Sequence, residues 1–130
     1  MSVAFDVLAR RWPTGGFRGT SLYCLLAGVM GAALAVVTGG MEEELAERAG
    51  APESVLELHE SLGAVTLIVF VALLGLRLAM QWGWTKDLPV FTFGLGVIGI
   101  VILALTGYWG GKLVYVYGIG VQAVMAPATP

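Results

Sequence analysis

Three long stretches without charge divide the chain, and the charged residues lie before and between them. The uncharged stretches cover residues 19–41, 61–76 and 88–111. A helix of about 20 residues crosses the hydrocarbon layer of a bilayer, which is ~30 Å thick. The pattern therefore predicts three transmembrane helices, with spans at about residues 20–40, 58–80 and 89–110.

The composition points to the same environment. Apolar residues make up 58% of the 130 residues and charged residues 12%, against roughly 25% charged in soluble domains. A soluble fold of this length cannot bury so much apolar surface. We therefore expect an all-α integral membrane protein with a single membrane domain, residues 1–130. The formal net charge of −2 gives no indication of nucleic-acid binding, and a lone Cys24 excludes an intrachain disulfide.

Segments outside the spans also carry structural signals. The first 17 residues mix large apolar side chains with arginines, which predicts an N-terminal helix in the membrane interface, with a loosely ordered tail as the alternative. Ser54 and Glu57 are spaced as a capping box, so we expect the second helix to begin near Val55. We expect Gly110 and Gly111 to end the third helix, and the stretch LVYVYGIGV to form an ordered C-terminal segment over the helix ends.

The charges predict an orientation. Basic residues precede the first span and follow the second, whereas residues 41–60 contain seven glutamates and one arginine. The positive-inside rule then places the N-terminus in the cytoplasm and the C-terminus in the periplasm of a bacterial inner membrane. Residues 41–57 are expected to form an acidic, non-cytoplasmic loop. The spacing of its carboxylates is more typical of a charged surface than of a metal site. We expect this surface to attract a basic soluble electron carrier.

His59 is the only histidine, and it lies near the non-cytoplasmic end of the second helix. Gly63 and Thr66 share its helix face and are small, so they leave a shallow trough beside the imidazole. The trough can admit a haem b or a chlorophyll with His59 as axial ligand, or it can admit a neighbouring helix. In the second case His59 bonds a carboxylate or a backbone carbonyl.

Other candidate contacts lie along the same helices. Arg77 follows His59 by five helical turns and shares its face, and it either snorkels to the interface or binds a lipid phosphate or a partner's carboxylate. Gly107 and Gly111 form a small-xxx-small pair that lets another helix approach. Tyr115 and Tyr117 belong to the C-terminal segment. We expect these residues to contact partners or lipids.

Two groups of residues resemble a family of bacterial membrane proteins, domain of unknown function 2231. They are His59-Glu60-Ser61-Leu62-Gly63 with Arg77, and Gly110-Gly111-Lys112-Leu113-Val114-Tyr115 with Gly118-Ile119-Gly120-Val121. The resemblance covers most of residues 20–121. The family has four membrane helices, and this chain resembles the last three of them. The chain lacks the family's opening helix with its His-Pro and Val-His-Phe-Pro motifs. The resemblance therefore implies that a haem site is lost or takes its second ligand from another subunit.

The expected function follows from what the spans lack. They contain no nucleophile with a base, no paired carboxylates and no polar path, so we expect neither an enzyme nor a transporter. The leading hypothesis is a small accessory subunit of a multisubunit redox complex, respiratory or photosynthetic, in contact with other integral-membrane subunits and lipids. The alternative is an electron-transfer subunit in which His59 binds haem b and another chain supplies the second ligand.

Overall fold

Three long helices make up the part of the chain that the structure describes. This computed structural model describes residues 4, 7, 8, 11, 12, 17–48 and 50–119. Helix α1 covers Phe17–Arg48, α2 covers Glu53–Gln81 and α3 covers Pro89–Tyr115. Over these residues the structure contains no strand. The expectation of an all-α protein is confirmed.

The three helices have the length and the apolar surface of transmembrane helices. Their lengths of 32, 29 and 27 residues correspond to about 40–48 Å at 1.5 Å per residue, which exceeds the hydrocarbon thickness. All three are long and apolar enough to cross a membrane, and only 11–17% of the residues in their most apolar windows are buried. Most apolar side chains of these helices therefore face outward, and they require lipid or other apolar helices around them.

Helix α2 is the central element. It packs against α1 on one side and α3 on the other, and α1 and α3 bring no Cα atoms within 8 Å of each other over the described residues. Leu73, in the middle of α2, is completely buried. Because α1 and α3 both run antiparallel to α2, the start of α1, the end of α2 and the start of α3 lie at the same end of the molecule.

The connection between α1 and α2 is much shorter than the predicted loop. Helix α1 continues through the acidic stretch to Arg48, so most of residues 41–57 is helical. Glutamate, leucine, alanine and arginine are good helix formers, which explains this extension. Helix α2 begins at Glu53 behind Pro52, and no side chain caps it. The predicted capping box is therefore wrong, because Ser54 already lies inside the helix.

The end of α3 also differs from the prediction. Gly110 and Gly111 do not end the helix, which continues to Tyr115. The chain turns only at Gly118, whose φ is 70°, and the Ile119 N–H then donates to the Leu113 carbonyl at 3.0 Å. A helix that leaves a bilayer keeps its backbone bonds until water can replace them, so glycines inside the last turns are tolerated.

A small apolar cluster joins the three helices at this end. Its buried members are Ala46, Ala51, Leu56 and Leu113, and Val55, Tyr117 and Ile119 pack against them. The cluster takes residues from the end of α1, the connection, the start of α2 and the end of α3. We call it the end cluster. The first residues of the C-terminal segment thus pack over the helix ends, while residues 120–130 lie outside the described part.

The predicted N-terminal helix lies largely outside the described residues. The backbone at Val7, Leu8 and Arg11 is helical, and the Trp12 N–H donates to the Leu8 carbonyl at 2.8 Å. The side chains of Glu42, Glu43, Glu44 and Glu47 also lie outside the described part, so the acidic surface predicted from them stays a prediction.

Candidate functional site

His59 connects α2 to α3. Its ring is half-buried in the second turn of α2, and Nδ1 lies 3.0 Å from the Thr106 carbonyl oxygen. A carbonyl only accepts hydrogen bonds, so Nδ1 carries the proton and donates it. In the neutral ring, Nε2 therefore holds the lone pair. Nε2 has no hydrogen-bond partner among the described residues.

Gly110 makes the space that the imidazole occupies. A Cβ atom at this position would lie 2.8 Å from His59 Cε1, which is closer than packed atoms allow, and 3.3 Å from Nδ1. Gly110 follows Thr106 by one helical turn, so the space lies directly beside the carbonyl that His59 bonds. The sequence alone predicts a helix end at Gly110 and does not reveal this role. The signal in the sequence for a close contact at this position is a glycine that directly follows two aromatic residues, Tyr108 and Trp109.

Two threonines continue the polar contact between α2 and α3. Thr66 Oγ1 donates to the Leu62 carbonyl at 2.7 Å, and Thr106 Oγ1 donates to the Ile102 carbonyl at 2.9 Å. The two hydroxyl oxygens lie 3.2 Å apart. Each hydroxyl has one proton, so the contact between them forms only when one of the carbonyl bonds is released.

The trough predicted beside His59 is occupied by α3. Thr66 is only 2% exposed, and a Cβ atom at Gly63 would lie 3.9 Å from the Thr106 methyl group. Further along the same contact, Phe70 packs against Gly99, where a Cβ atom would lie 3.0 Å from the ring. Of the two interpretations of Gly63 and Thr66, the structure therefore shows close helix packing.

His59 lies at the level of an aromatic and basic cluster on α3. The Lys112 Nζ lies 4.5 Å from the centroid of the Trp109 ring and 6.0 Å from that of Tyr108. Tyr108 and Trp109 contact each other edge to face. Tryptophan, tyrosine and lysine favour the boundary between hydrocarbon and headgroups. The cluster thus favours a position near that boundary for the level at which His59 lies.

Arg77 lies at the opposite end of α2. Its Nη1 donates to Ser21 Oγ at 2.6 Å, which connects α2 to the second turn of α1. Ser21 is 1% exposed, and Arg77 is half-buried. Sequence reasoning identified Arg77 but missed Ser21, because the pairing depends on the register between two helices.

The remaining candidate residues are Gly107, Gly111, Tyr115 and Tyr117, for which the structure shows no contact with His59. Cβ atoms at Gly107 and Gly111 would meet nothing within 4 Å, so neither glycine is used for packing between the described helices. Tyr115 is 90% exposed. Tyr117 packs on the end cluster. Gly107, Gly111 and Tyr115 are thus open to lipid or to another chain, whereas Tyr117 packs inside this protein.

A cofactor at this site would depend on His59 alone among the described histidine, cysteine and acidic residues. These residues contain no group of three that could hold a metal ion. A histidine that donates Nδ1–H to a carbonyl has the arrangement commonly seen in metal-ligating histidines, and Nε2 fits the role of a single axial ligand. A macrocycle there would lie outside the α2–α3 contact, since α3 fills the trough at Gly63 and Thr66.

Comparisons with known proteins agree with the architecture. The family model described as predicted membrane protein, domain of unknown function 2231 (DUF2231), matches residues 1–123. The match extends beyond residues 20–121, on which the resemblance rested. Comparison with curated proteins and with solved structures gave no match. The chain belongs to the DUF2231 family of membrane proteins.

Proposed function

We propose that this protein is a small non-catalytic subunit of a multisubunit redox complex in a bacterial inner membrane. Its three helices pack laterally against other integral-membrane subunits. The N-terminus lies in the cytoplasm and the C-terminus in the periplasm, as the basic residues at one end and the glutamates at the other favour. The acidic end is suited to approach by a basic electron carrier.

The observation that carries this proposal is a row of small residues on the outside of α1. Ala27, Gly31, Ala35 and Gly39 recur every four residues, and all four are exposed. Cβ atoms at Gly31 and Gly39 would meet nothing within 4 Å. Small residues at this spacing let two helix backbones approach closely in a membrane, where van der Waals contact drives association. Within the described chain α1 uses other residues to contact α2.

Purification from native membranes in mild detergent tests the proposal. We expect the chain to co-purify with integral-membrane subunits of a redox complex, and Gly31→Leu to reduce the retained partners at least fivefold. Val37→Leu is the matched control, because Val37 is exposed on a different side of α1. A wild-type chain that purifies alone, or equal retention in both variants, contradicts the proposal.

The second candidate function is binding of haem b through His59. The proton held on Nδ1 by the Thr106 carbonyl supports it, because this tautomer presents Nε2 as the ligand. The second axial ligand would come from another chain. We expect a Soret band in the purified complex that is lost in His59→Ala and kept in Tyr108→Phe. A complex without a Soret band, or one that keeps it in His59→Ala, removes this candidate.

A further inference from the structure

We propose that Arg77 binds the phosphate of an anionic phospholipid at the end of the molecule where α1 begins, α2 ends and α3 begins. The occupant is a lipid of the surrounding leaflet, held by its headgroup. The site does not depend on a redox complex, so it can be tested on the chain alone.

The Arg77 guanidinium is held in place by the fold. Its Nη1 donates to Ser21 Oγ at 2.6 Å, and Ser21 is almost completely buried between α1 and α2. A guanidinium has five N–H donors in a rigid fork, so a phosphate oxygen can be added to the contacts that Arg77 makes within the chain. A planar fork matches the oxygens of a phosphate group, which it binds through paired hydrogen bonds.

The depth of Arg77 suits a headgroup. It lies four residues before Gln81, the last residue of α2, or about 6 Å along the axis. Gly83, with φ of 74°, then turns the chain and leaves an exposed tryptophan on each side, Trp82 and Trp84, whose ring centroids are 5.1 Å apart. Such tryptophans mark the headgroup level, and an arginine side chain spans the distance from Arg77 to it.

The charge of this end favours an anionic ligand. The first turn of α1, the last turns of α2 and the α2–α3 connection contain three basic residues, Arg18, Arg77 and Lys86, and one acidic residue, Asp87. The opposite end contains seven glutamates against Arg48 and Lys112. A basic end inserted among anionic headgroups gains attraction from each lysine or arginine near the surface. A carboxylate from a partner subunit is the competing occupant, and the experiment separates the two.

The experiment measures lipid preference in nanodiscs. The purified chain is reconstituted with phosphatidylcholine alone or with phosphatidylcholine and phosphatidylglycerol, and the lipids that remain bound are counted by native mass spectrometry. We expect phosphatidylglycerol to be retained about fivefold over phosphatidylcholine, the preference that one arginine provides. Arg77→Gln should lower this preference about fivefold, whereas Lys86→Gln, which removes an exposed charge at the same end, should lower it less. Lys112→Gln, which removes one positive charge at the opposite end, should keep it.

A second variant and a second measurement keep the proposal testable if Arg77→Gln does not fold. Ser21→Ala keeps the charge but removes the contact that positions it, so we expect it to lower the preference about twofold to threefold. Phosphatidylglycerol should also raise the Tm of the wild type, and inorganic phosphate in phosphatidylcholine nanodiscs should not. No preference for phosphatidylglycerol in the wild type, or an equal preference in Arg77→Gln, overturns the proposal. If the chain shows no lipid preference, and Arg77→Gln instead loses a partner subunit on purification from native membranes, the guanidinium binds a carboxylate and the proposal fails.

Discussion

The substitution Gly110→Ala tests the contact between α2 and α3 most directly. The added methyl would lie 2.8 Å from His59 Cε1 and 3.3 Å from Nδ1, so the ring must move. A displaced ring carries Nδ1 away from the Thr106 carbonyl, which lies at 3.0 Å, so we expect this hydrogen bond to be weakened or lost as well. The neighbouring backbone of α3 is fixed by its own helix, so the displacement falls on the histidine.

The magnitude follows from three terms. Overpacking one methyl group costs about 1–3 kcal/mol, and a hydrogen bond between membrane helices contributes ~0.6 kcal/mol on average. Replacing glycine by alanine in a helix returns up to about 1 kcal/mol. We therefore expect Gly110→Ala to lower the free energy of unfolding by about 1–3 kcal/mol. Equilibrium unfolding in mixed micelles of detergent and SDS measures it.

The controls isolate the histidine. Gly107→Ala lies one turn earlier on α3, where a Cβ atom meets nothing within 4 Å, and it should be neutral or slightly stabilising in the isolated chain. In a His59→Ala background the methyl at position 110 has room, so Gly110→Ala should then cost nothing. If Gly110→Ala is as mild as Gly107→Ala, or equally costly with and without His59, the ring does not occupy the space assigned to it.

Two further substitutions test the fold, each against Gly94→Ala, where a Cβ atom meets nothing within 4 Å. Gly99→Ala should lower the free energy of unfolding by about 1–3 kcal/mol, because its Cβ would lie 3.0 Å from the Phe70 ring. If Gly99→Ala costs no more than Gly94→Ala, the Phe70 ring does not pack against Gly99. Gly118→Ala should cost about 1–2 kcal/mol, since φ is 70° there, and should make the chain at Tyr117 and Ile119, which pack on the end cluster, more open to proteolysis. Unchanged proteolysis would show that this turn is not needed to hold the segment.

The helices could be predicted from the sequence because lipid imposes a simple requirement on composition. Uncharged stretches long enough to cross a bilayer are rare by chance, so their number and approximate positions are easy to identify. Their ends were harder to predict. Charge marks where a helix leaves the lipid, not where it stops, and α1 continues through the glutamates to Arg48. Helix α3 likewise continues past Gly110, because a backbone leaving the bilayer keeps its hydrogen bonds.

The candidate site was only half predictable. His59 and Arg77 were identifiable because ionisable residues near apolar stretches are rare. Their partners, Thr106 and Ser21, are separated from them by 47 and 56 residues. Such pairs are set by the register between helices, and in these spans the apolar residues occupy every side of the helix. The pattern therefore does not reveal which side faces a neighbour.

The central position of α2 has a consequence for biogenesis. The ribosome delivers α1 before α2 and α3, yet the backbone of α1 packs closely against α2 and not against α3 over the described residues. Until α2 is synthesised and inserted, α1 must remain in the bilayer as a single span. Its long apolar stretch keeps it there. Helix α3 arrives when its docking surface already exists. Truncation after α2 should therefore leave a hairpin that inserts, whereas loss of α2 should leave two spans with no reason to associate.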